Sequence, residues 1–436
     1  MIKKIIFIPI ELPVRELSSS AMLASYLSSK GMKVVIGSQL DIKNLALNSK
    51  KTIYLDKTLY SAHNNFYSNL SKKNIKIFCD DIEASGCHVP EIYSQARFSQ
   101  KNIDLAKGIF FWGKDDFNAV KKFYDISDMK CFKRGSFRTF FWKNYSQNIP
   151  SNIKKMNALK EKYGDFVFIP SNFGGSMRPD GTEGVINQAK KNYPHLLDKI
   201  LKRIDHIEKR REIFMRDVIK VADSFKHINF IFRPHPNEEI CRWIKILPKR
   251  KNLFIEYEGS VTEYIMASDV IIHSGCTSAF EAYFYKKPCI AHVPRKNKKW
   301  DSWQANNMSE ETLNFSSLEK KLTHLLIHNY DFKNTNPFYE LKDDLLEFYF
   351  KVFNDTDPLT SKEYKKEMDK LNSNLYLDSI KKTFKYLFDS DYRYSDYKFS
   401  KENTFDLKKK LEYFNKEFNA DNVNIKKIND KVLMLL

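Results

Sequence analysis

The chain of 436 residues has no pair of cysteines at the two-residue spacing of redox or zinc motifs; Cys79, Cys87, Cys131, Cys241, Cys276 and Cys289 are scattered. A reduced, cytoplasmic protein fits this usage best. No apolar run approaches the roughly 20 residues that span a bilayer. The opening Met1–Ile10 resembles a signal peptide, but its apolar run is short and broken by Pro9 and Glu11. It reads as a first buried strand. There is no G-x-G-x-x-G fingerprint, which removes support for a dinucleotide dehydrogenase, and no phosphate-loop G-x-x-x-x-G-K-[ST]. A G-x-S-x-G nucleophile elbow is missing too. The ten histidines form no H-E-x-x-H pattern, Cys87-His88 alone is not a site, and Asp115-Asp116 reads as a helix start. Neither a metal nor another cofactor is expected to be required. With no zinc-finger spacing, RNP-like aromatic pattern or helix-turn-helix, nucleic acid is not an expected partner. No short-period repeat occurs.

What the chain does have is charge. Its formal net charge is +19, which suits acidic glycans, nucleotide sugars or an anionic membrane face. Lysine enrichment by compositional bias is the plain alternative. Hydrophobic residues at 42% and aromatics at 14% suffice to fill packed cores. The length implies two α/β domains of roughly 150 residues each with an additional segment.

Short apolar runs alternate with amphipathic stretches. Strands are expected at Ile5–Ile10, 32–36, 51–55, 75–79 and 108–112, with a helix over 16–30 that Gly31 ends. Residues 145–160 read as a connection. A second alternation follows: strands at Phe166–Pro170, 228–232, 253–256, Val270–His273 and 289–293, and helices at 196–225, Val261–Ala267 and 277–285. From 331 the segments 341–353 and 378–388 look helical. Strand–helix alternation implies parallel βαβ units. The expected architecture is therefore α/β of the GT-B type: two Rossmann-like domains, 1–150 and 151–330, facing across a cleft, with a helical C-terminal extension over 331–436.

In open α/β sheets ligands bind beyond the carboxyl ends of the strands. Arg233-Pro234-His235-Pro236 follows one strand, and Arg233 and His235 can both donate to a phosphate; a structural histidine at a turn is the alternative. His273, Ser274, Gly275, Thr277 and Ser278 follow another strand and open a helix, a second candidate phosphate loop. Either hydroxyl could instead cap the helix. Glu281 could reach a ribose hydroxyl or be a solvated helix charge. In the first domain Asp80, Asp81 and Glu83 cluster after a strand, where a carboxylate can act as base or nucleophile. Glu11 and Arg15, Asn172, and Arg138 also follow strands or turns and are candidates for acceptor or sugar contacts.

The strings IPIELPVREL, LASYLSSKGMKVVIGS, GKDDF, GSFR, FIPSNFG, RPHPNE and EGSVTEYIMASDVIIHSGCTSAFEAYFYKKPCIAHVP resemble the bacterial surface carbohydrate biosynthesis proteins, GT-B enzymes of capsule and O-antigen, over about residues 1–320. The His-Pro motif, the Ser/Thr pair and the acidic run also resemble the sialic-acid and Kdo transferases that use CMP-activated acids. The resemblance implies a nucleotide sugar on the C-terminal domain, favouring a CMP-linked nonulosonic or Kdo-like acid. It implies His235, Thr277 and Ser278 at the phosphate, and Asp80 or Asp81 as catalytic carboxylate on the acceptor domain. Here the acidic motif is Asp-Asp-Ile-Glu-Ala-Ser-Gly rather than acid-acid-Gly. The resulting expectation is a cytoplasmic glycosyltransferase, at or near the inner membrane face, acting on a glycan or lipid-linked acceptor. A nucleotide-sugar 2-epimerase, a CDP-glycerol glycerophosphotransferase and a non-catalytic assembly scaffold are the alternatives. Inversion or retention, and the oligomeric state, stay open.

Overall fold

The structure, a computed structural model, describes residues 2–83, 89–301, 303–328, 341–373 and 398–436. The segment 378–388, expected to be helical, lies outside the described residues, as does Cys87-His88. In chain order the strands are β1 (Ile5–Ile10), β2 (Lys33–Ser38), β3 (Ile53–Asp56), β4 (Lys76–Asp80), β5 (Ala106–Phe110), β6 (Cys131–Phe132), β7 (Phe166–Pro170), β8 (Asn229–Arg233), β9 (Leu253–Ile255), β10 (Val270–His273), β11 (Cys289–His292), β12 (Glu310–Thr312), β13 (Ile425–Asn429) and β14 (Val432–Leu435). They form two sheets, β13-β14-β2-β1-β3-β4-β5-β6 and β12-β11-β10-β7-β8-β9.

Two compact units contain these sheets: Met1–Ile82, Arg97–Phe141 and Tyr339–Leu436 make the first, and Glu83–Ala96 with Trp142–Phe338 the second. The division expected at 150 and 330 followed the chain linearly, whereas the chain leaves the first unit and returns to it. The returning region is helical at Leu345–Asn354 and Lys401–Glu417, as expected, and also carries the β13–β14 hairpin. Strand β14 pairs antiparallel with β2, Leu433 against Ile36, so the C-terminal segment closes an edge of the first sheet. The expected connection at 145–160 is instead largely a helix, Pro150–Tyr163, which opens on proline at its first position.

In the first unit, β1 reads Ile-Ile-Phe-Ile-Pro-Ile and five of its six residues are buried. A continuous apolar run is what a parallel strand covered on both faces requires. From β2 onward the order is 2-1-3-4-5-6, so the chain winds outward in both directions from β1 and the switch point lies between β1 and β3. In the second unit, counting from β7, the order is 3-2-1-4-5-6, with the switch between β7 and β10. These are the two common doubly wound orders, and ligand crevices form at their switch points. The core of the second unit packs Phe173, Phe214, Phe232 and Trp243 with Val167, Ile272 and Leu322.

Gly37 on β2 faces Val432, and a Cβ added there would lie 2.1 Å from the Lys431 carbonyl oxygen. Gly37→Ala is expected to cost about 1–3 kcal/mol. Amide exchange at Val432–Leu435 should accelerate while that of β4 stays slow. Unchanged exchange at the hairpin would show that the C-terminal strands do not close the sheet.

Candidate functional site

At the switch point of the first unit, Ile8 and Pro9 of β1, Leu55 and Asp56 of β3 with Lys57 just after it, and Asp80 of β4 line a depression of about 270 Å³, open solvent included, with Glu16, Ser20, Ile82 and Phe137. Asp80 ends β4 and is 1% exposed. Its Oδ2 accepts from Ser136 Oγ at 3.0 Å, from the Phe137 amide at 3.3 Å and from the Tyr349 hydroxyl. Its Oδ1 meets no hydrogen-bond donor among the described residues. Burial pushes the Asp80 carboxyl up to about 7, against the opposing pull of the bonds from Tyr349, Ser136 and Phe137. One oxygen is thus fixed, and the other is an unengaged acceptor whose charge state changes near neutrality.

Successive residues project to opposite sides of an extended chain. Asp81 accordingly meets Arg97 in a bidentate pair at 2.5 and 2.6 Å, while its carbonyl accepts from Trp112 Nε1. That geometry makes Asp81 a structural ion pair. Glu83 is half-buried beside residues 84–88, which lie outside the described residues. Of the three acids expected to carry chemistry, Asp80 alone lines the depression. Arg138 Nη1 donates to the Ile82 carbonyl, steadying the turn after Asp81. Glu11 pairs with Lys57 and Lys398, each at 2.7 Å. Burial alone would raise its pKa; the two ammonium groups hold it down to about 2. Lys57 also pairs with buried Glu16 at 2.8 Å. Arg15 is half-buried on the first turn of the helix Pro13–Ser29.

In the second unit the loops after three neighbouring strands are hydrogen-bonded together. Glu238, buried, accepts from the Phe173 amide after β7 at 2.9 Å, from the His235 amide after β8 at 3.0 Å, and from Trp243 Nε1. Asn172 Nδ2 donates to the Gly275 carbonyl after β10 at 2.6 Å. Gly275 takes φ +80, a left-handed conformation that favours glycine.

Several expected phosphate contacts are used within the protein. Arg233 donates to the Glu258 and Gly259 carbonyls, each at 2.6 Å, and lies over the Tyr264 ring. His273 is fully buried, and desolvation pushes its pKa down to about 3. Its Nδ1 accepts from the Gly275 and Cys276 amides and its Nε2 lies 2.8 Å from Ser309 Oγ, so the neutral ring shapes the loop. Glu281 is neither a solvated charge nor exposed to a ribose: it is 2% exposed and accepts from Thr262 Oγ1 and the Tyr285 hydroxyl. Ser274 and Ser278 are buried, and their hydroxyls have no hydrogen-bond partner among the described residues. Neither Thr277 nor Ser278 caps the helix Ser278–Phe284 through its side chain, which removes the capping alternative. His235 is half-buried; its Nδ1 accepts from the Asn237 amide, which leaves the proton of the neutral ring on Nε2.

Sequence reasoning passed over Tyr349, Ser136, Lys57, Glu16 and Glu238. Lys57 and Asp56 had a readable signal, a charged pair directly after an apolar strand. Glu238 closes the quoted string RPHPNE but was assigned no role there. Tyr349 had none, because it is 269 residues from Asp80.

No family model matches the chain, and no curated protein matches it. Among solved structures it is similar to UDP-GlcNAc 2-epimerase from Methanocaldococcus jannaschii in complex with UDP-GlcNAc and UDP. The TM-score is 0.52 at 13% identity, covering 80% of this chain and 98% of that one. A second structure of that enzyme gives a TM-score of 0.50 at 13% identity, with the same coverage of 80% and 98%. The wall teichoic acid polymerase TagF gives 0.47 at 9% identity, covering 84% of this chain and 89% of that one. The likeness shows the fold: mixed α/β, two Rossmann-like domains of the GT-B kind, and a helical C-terminal region.

Because the folded pKa of Asp80 lies above the unfolded value near 4, the native state binds the extra proton between those values. Its stability contribution is full at the acid end of that window and is lost as pH rises through about 7. Asp80→Asn should therefore raise the melting temperature relative to the parent more at pH 8 than at pH 5. A pH-independent difference would place the Asp80 pKa near its ordinary value.

Proposed function

We propose that the chain is a nucleotide-sugar-dependent GT-B glycosyltransferase of bacterial surface polysaccharide synthesis, with Asp80 as its proton acceptor and the loops after β7, β8 and β10 as the nucleotide phosphate site. The observation that carries the reading is Asp80: a buried carboxylate on the strand beside a switch point, one oxygen anchored and the other without a donor among the described residues. The ionised Oδ1 takes the proton of an acceptor hydroxyl as that oxygen attacks the anomeric carbon and the nucleotide departs. In the second unit Ser274 and Ser278 on the β10 loop, and His235 on the β8 loop, are the donors for a nucleotide phosphate. Parallel strands lie about 4.8 Å apart. The β8 and β10 loops, separated by β7, thus sit roughly 10 Å from one another, a span that suits a phosphate and its attached groups. The donor drawn from the sequence resemblance is a CMP-activated nonulosonic or Kdo-like acid, and the acceptor a glycan or lipid-linked glycan.

A second reading, nucleotide-sugar 2-epimerase, is supported by the fold neighbour that holds UDP-GlcNAc and UDP at a TM-score of 0.52. Asp80 would then accept a carbon-bound proton, and a UDP-sugar would change configuration with no acceptor present. Incubation with UDP-GlcNAc alone, followed by proton NMR, separates the two: an epimerised product favours the second reading, an unchanged sugar the first.

Two further outcomes follow from the site. CMP, CDP, UDP or GDP should raise the melting temperature, and the nucleotide that does so identifies the donor class; no shift with any of them would favour a non-catalytic scaffold. Removing a buried, unpartnered hydroxyl breaks no hydrogen bond, so Ser278→Ala should not lower the melting temperature of the free protein and should lower the nucleotide-induced shift. Asp80→Asn should keep the nucleotide shift and reduce turnover by about 10²–10⁴. In the parent, turnover should fall about tenfold per pH unit below an apparent pKa near 7. Turnover by Asp80→Asn at the parental rate would remove Asp80 from the reaction.

A further inference from the structure

The exposed cations of the second unit are not spread evenly. The helix Ile240–Ile246 buries Trp243 and, just past its end, Leu247, which anchors the following turn. Around these anchors Ile244, Lys245, Ile246, Pro248, Lys249, Arg250 and Lys251 are exposed. Ile244 is 56% and Ile246 40% exposed, among the largest exposures of an aliphatic side chain in this unit. Arg250 pairs with Asp223 at 2.7 Å, and exposed Lys226 lies in the field of the same carboxylate. Residues 223, 226 and 244–251 thus include five cations, Lys226, Lys245, Lys249, Arg250 and Lys251, and one acid, Asp223. Lys245, Lys249 and Lys251 make no ion pair among the described residues.

We propose that residues 244–251, with Lys226, form a docking surface for an anionic phospholipid bilayer. Two isoleucines flanked by lysines are the composition that seats apolar tips at the acyl boundary and ammonium groups among headgroup phosphates. The cationic side complements an anionic surface, and the apolar tips add what a purely electrostatic polyanion site does not need. Lysine is depleted from protein–protein interfaces, and single-stranded nucleic acid sites use stacking aromatics; neither matches this patch. Position agrees as well. The turn leads into the amino end of β9 and Lys226 precedes β8, whereas the candidate phosphate loops follow the carboxyl ends of β7, β8 and β10. Within this unit a membrane-bound patch leaves those loops facing away from the bilayer. No helix among the described residues is long and apolar enough to cross a membrane.

The test is co-sedimentation of the full chain with vesicles of phosphatidylcholine alone or mixed with phosphatidylglycerol. Binding is expected to the mixed vesicles only and to weaken at roughly 0.5 M salt. The variant K245E/K249E/K251E should lower the partition coefficient about tenfold or more. Its control, K362E/K365E/K366E, makes the same charge change at exposed lysines of the first unit and should retain most of the binding. Ile244→Ser with Ile246→Ser, which leaves the charge untouched, should also weaken binding and tests the surface should the lysine variant not fold. Equal loss in the patch variant and its control would reduce the effect to general charge attraction and overturn the proposal. So would binding unaffected by either patch variant, or no binding to anionic vesicles; such results would leave a protein partner as the occupant of the patch.

Discussion

The candidate site depends on the burial of one carboxyl group. Asp80 sits at the end of a central parallel strand, out of water, and desolvation sets its protonation near neutrality. A buried carboxylate is costly unless hydrogen-bonded, and three donors meet that need on Oδ2 alone. The asymmetry gives the group its chemical character: stability is supplied on one oxygen, and reactivity is left on the other. The hydroxyl of Tyr349 makes this a property of the whole first unit. It arrives on a helix that returns from the far end of the chain and stacks on Phe110 with ring centroids 4.1 Å apart. The C-terminal region, which shows no chemical motif in the sequence, therefore holds the reactive carboxylate in place.

The second unit solves a different problem. Its strand-end loops are held to one another as well as to the core, where Phe173 and Trp243 pack. Buried polar groups do that work: Glu238 ties the β7 and β8 loops, Asn172 ties β7 to β10, and His273 folds the β10 loop around its own ring. Each of these bonds is intramolecular. The serine hydroxyls of 274 and 278 are the exception, buried and unmatched, and an unmatched buried hydroxyl is a cost that a ligand's acceptor can offset.

Much of the fold was legible because parallel strands buried on both faces leave continuous apolar runs. Ile5–Ile10, Phe166–Pro170 and Val270–His273 coincide with the observed strands residue for residue. Short edge strands such as Cys131–Phe132 and Glu310–Thr312 carry too few apolar residues to stand out. The β13–β14 hairpin was hidden by a different limit, since nothing local shows that Val432–Leu435 pairs with a strand near the start of the chain. At the site, position after a strand was legible and partnership was not. Asp80 and Asp81 look alike in sequence, and so do Arg233 and His235; the structure separates each pair by what the side chains touch.

The central claim is that the Asp80 carboxyl is a proton acceptor poised near neutral pH. Carbon-13 NMR of protein labelled at aspartate side-chain carboxyls, with Asp80→Asn to assign the resonance, measures it directly. The account predicts that the resonance lost in the variant titrates with a pKa of about 7 in the parent protein. Titration near 4, as for an exposed aspartate, would contradict it.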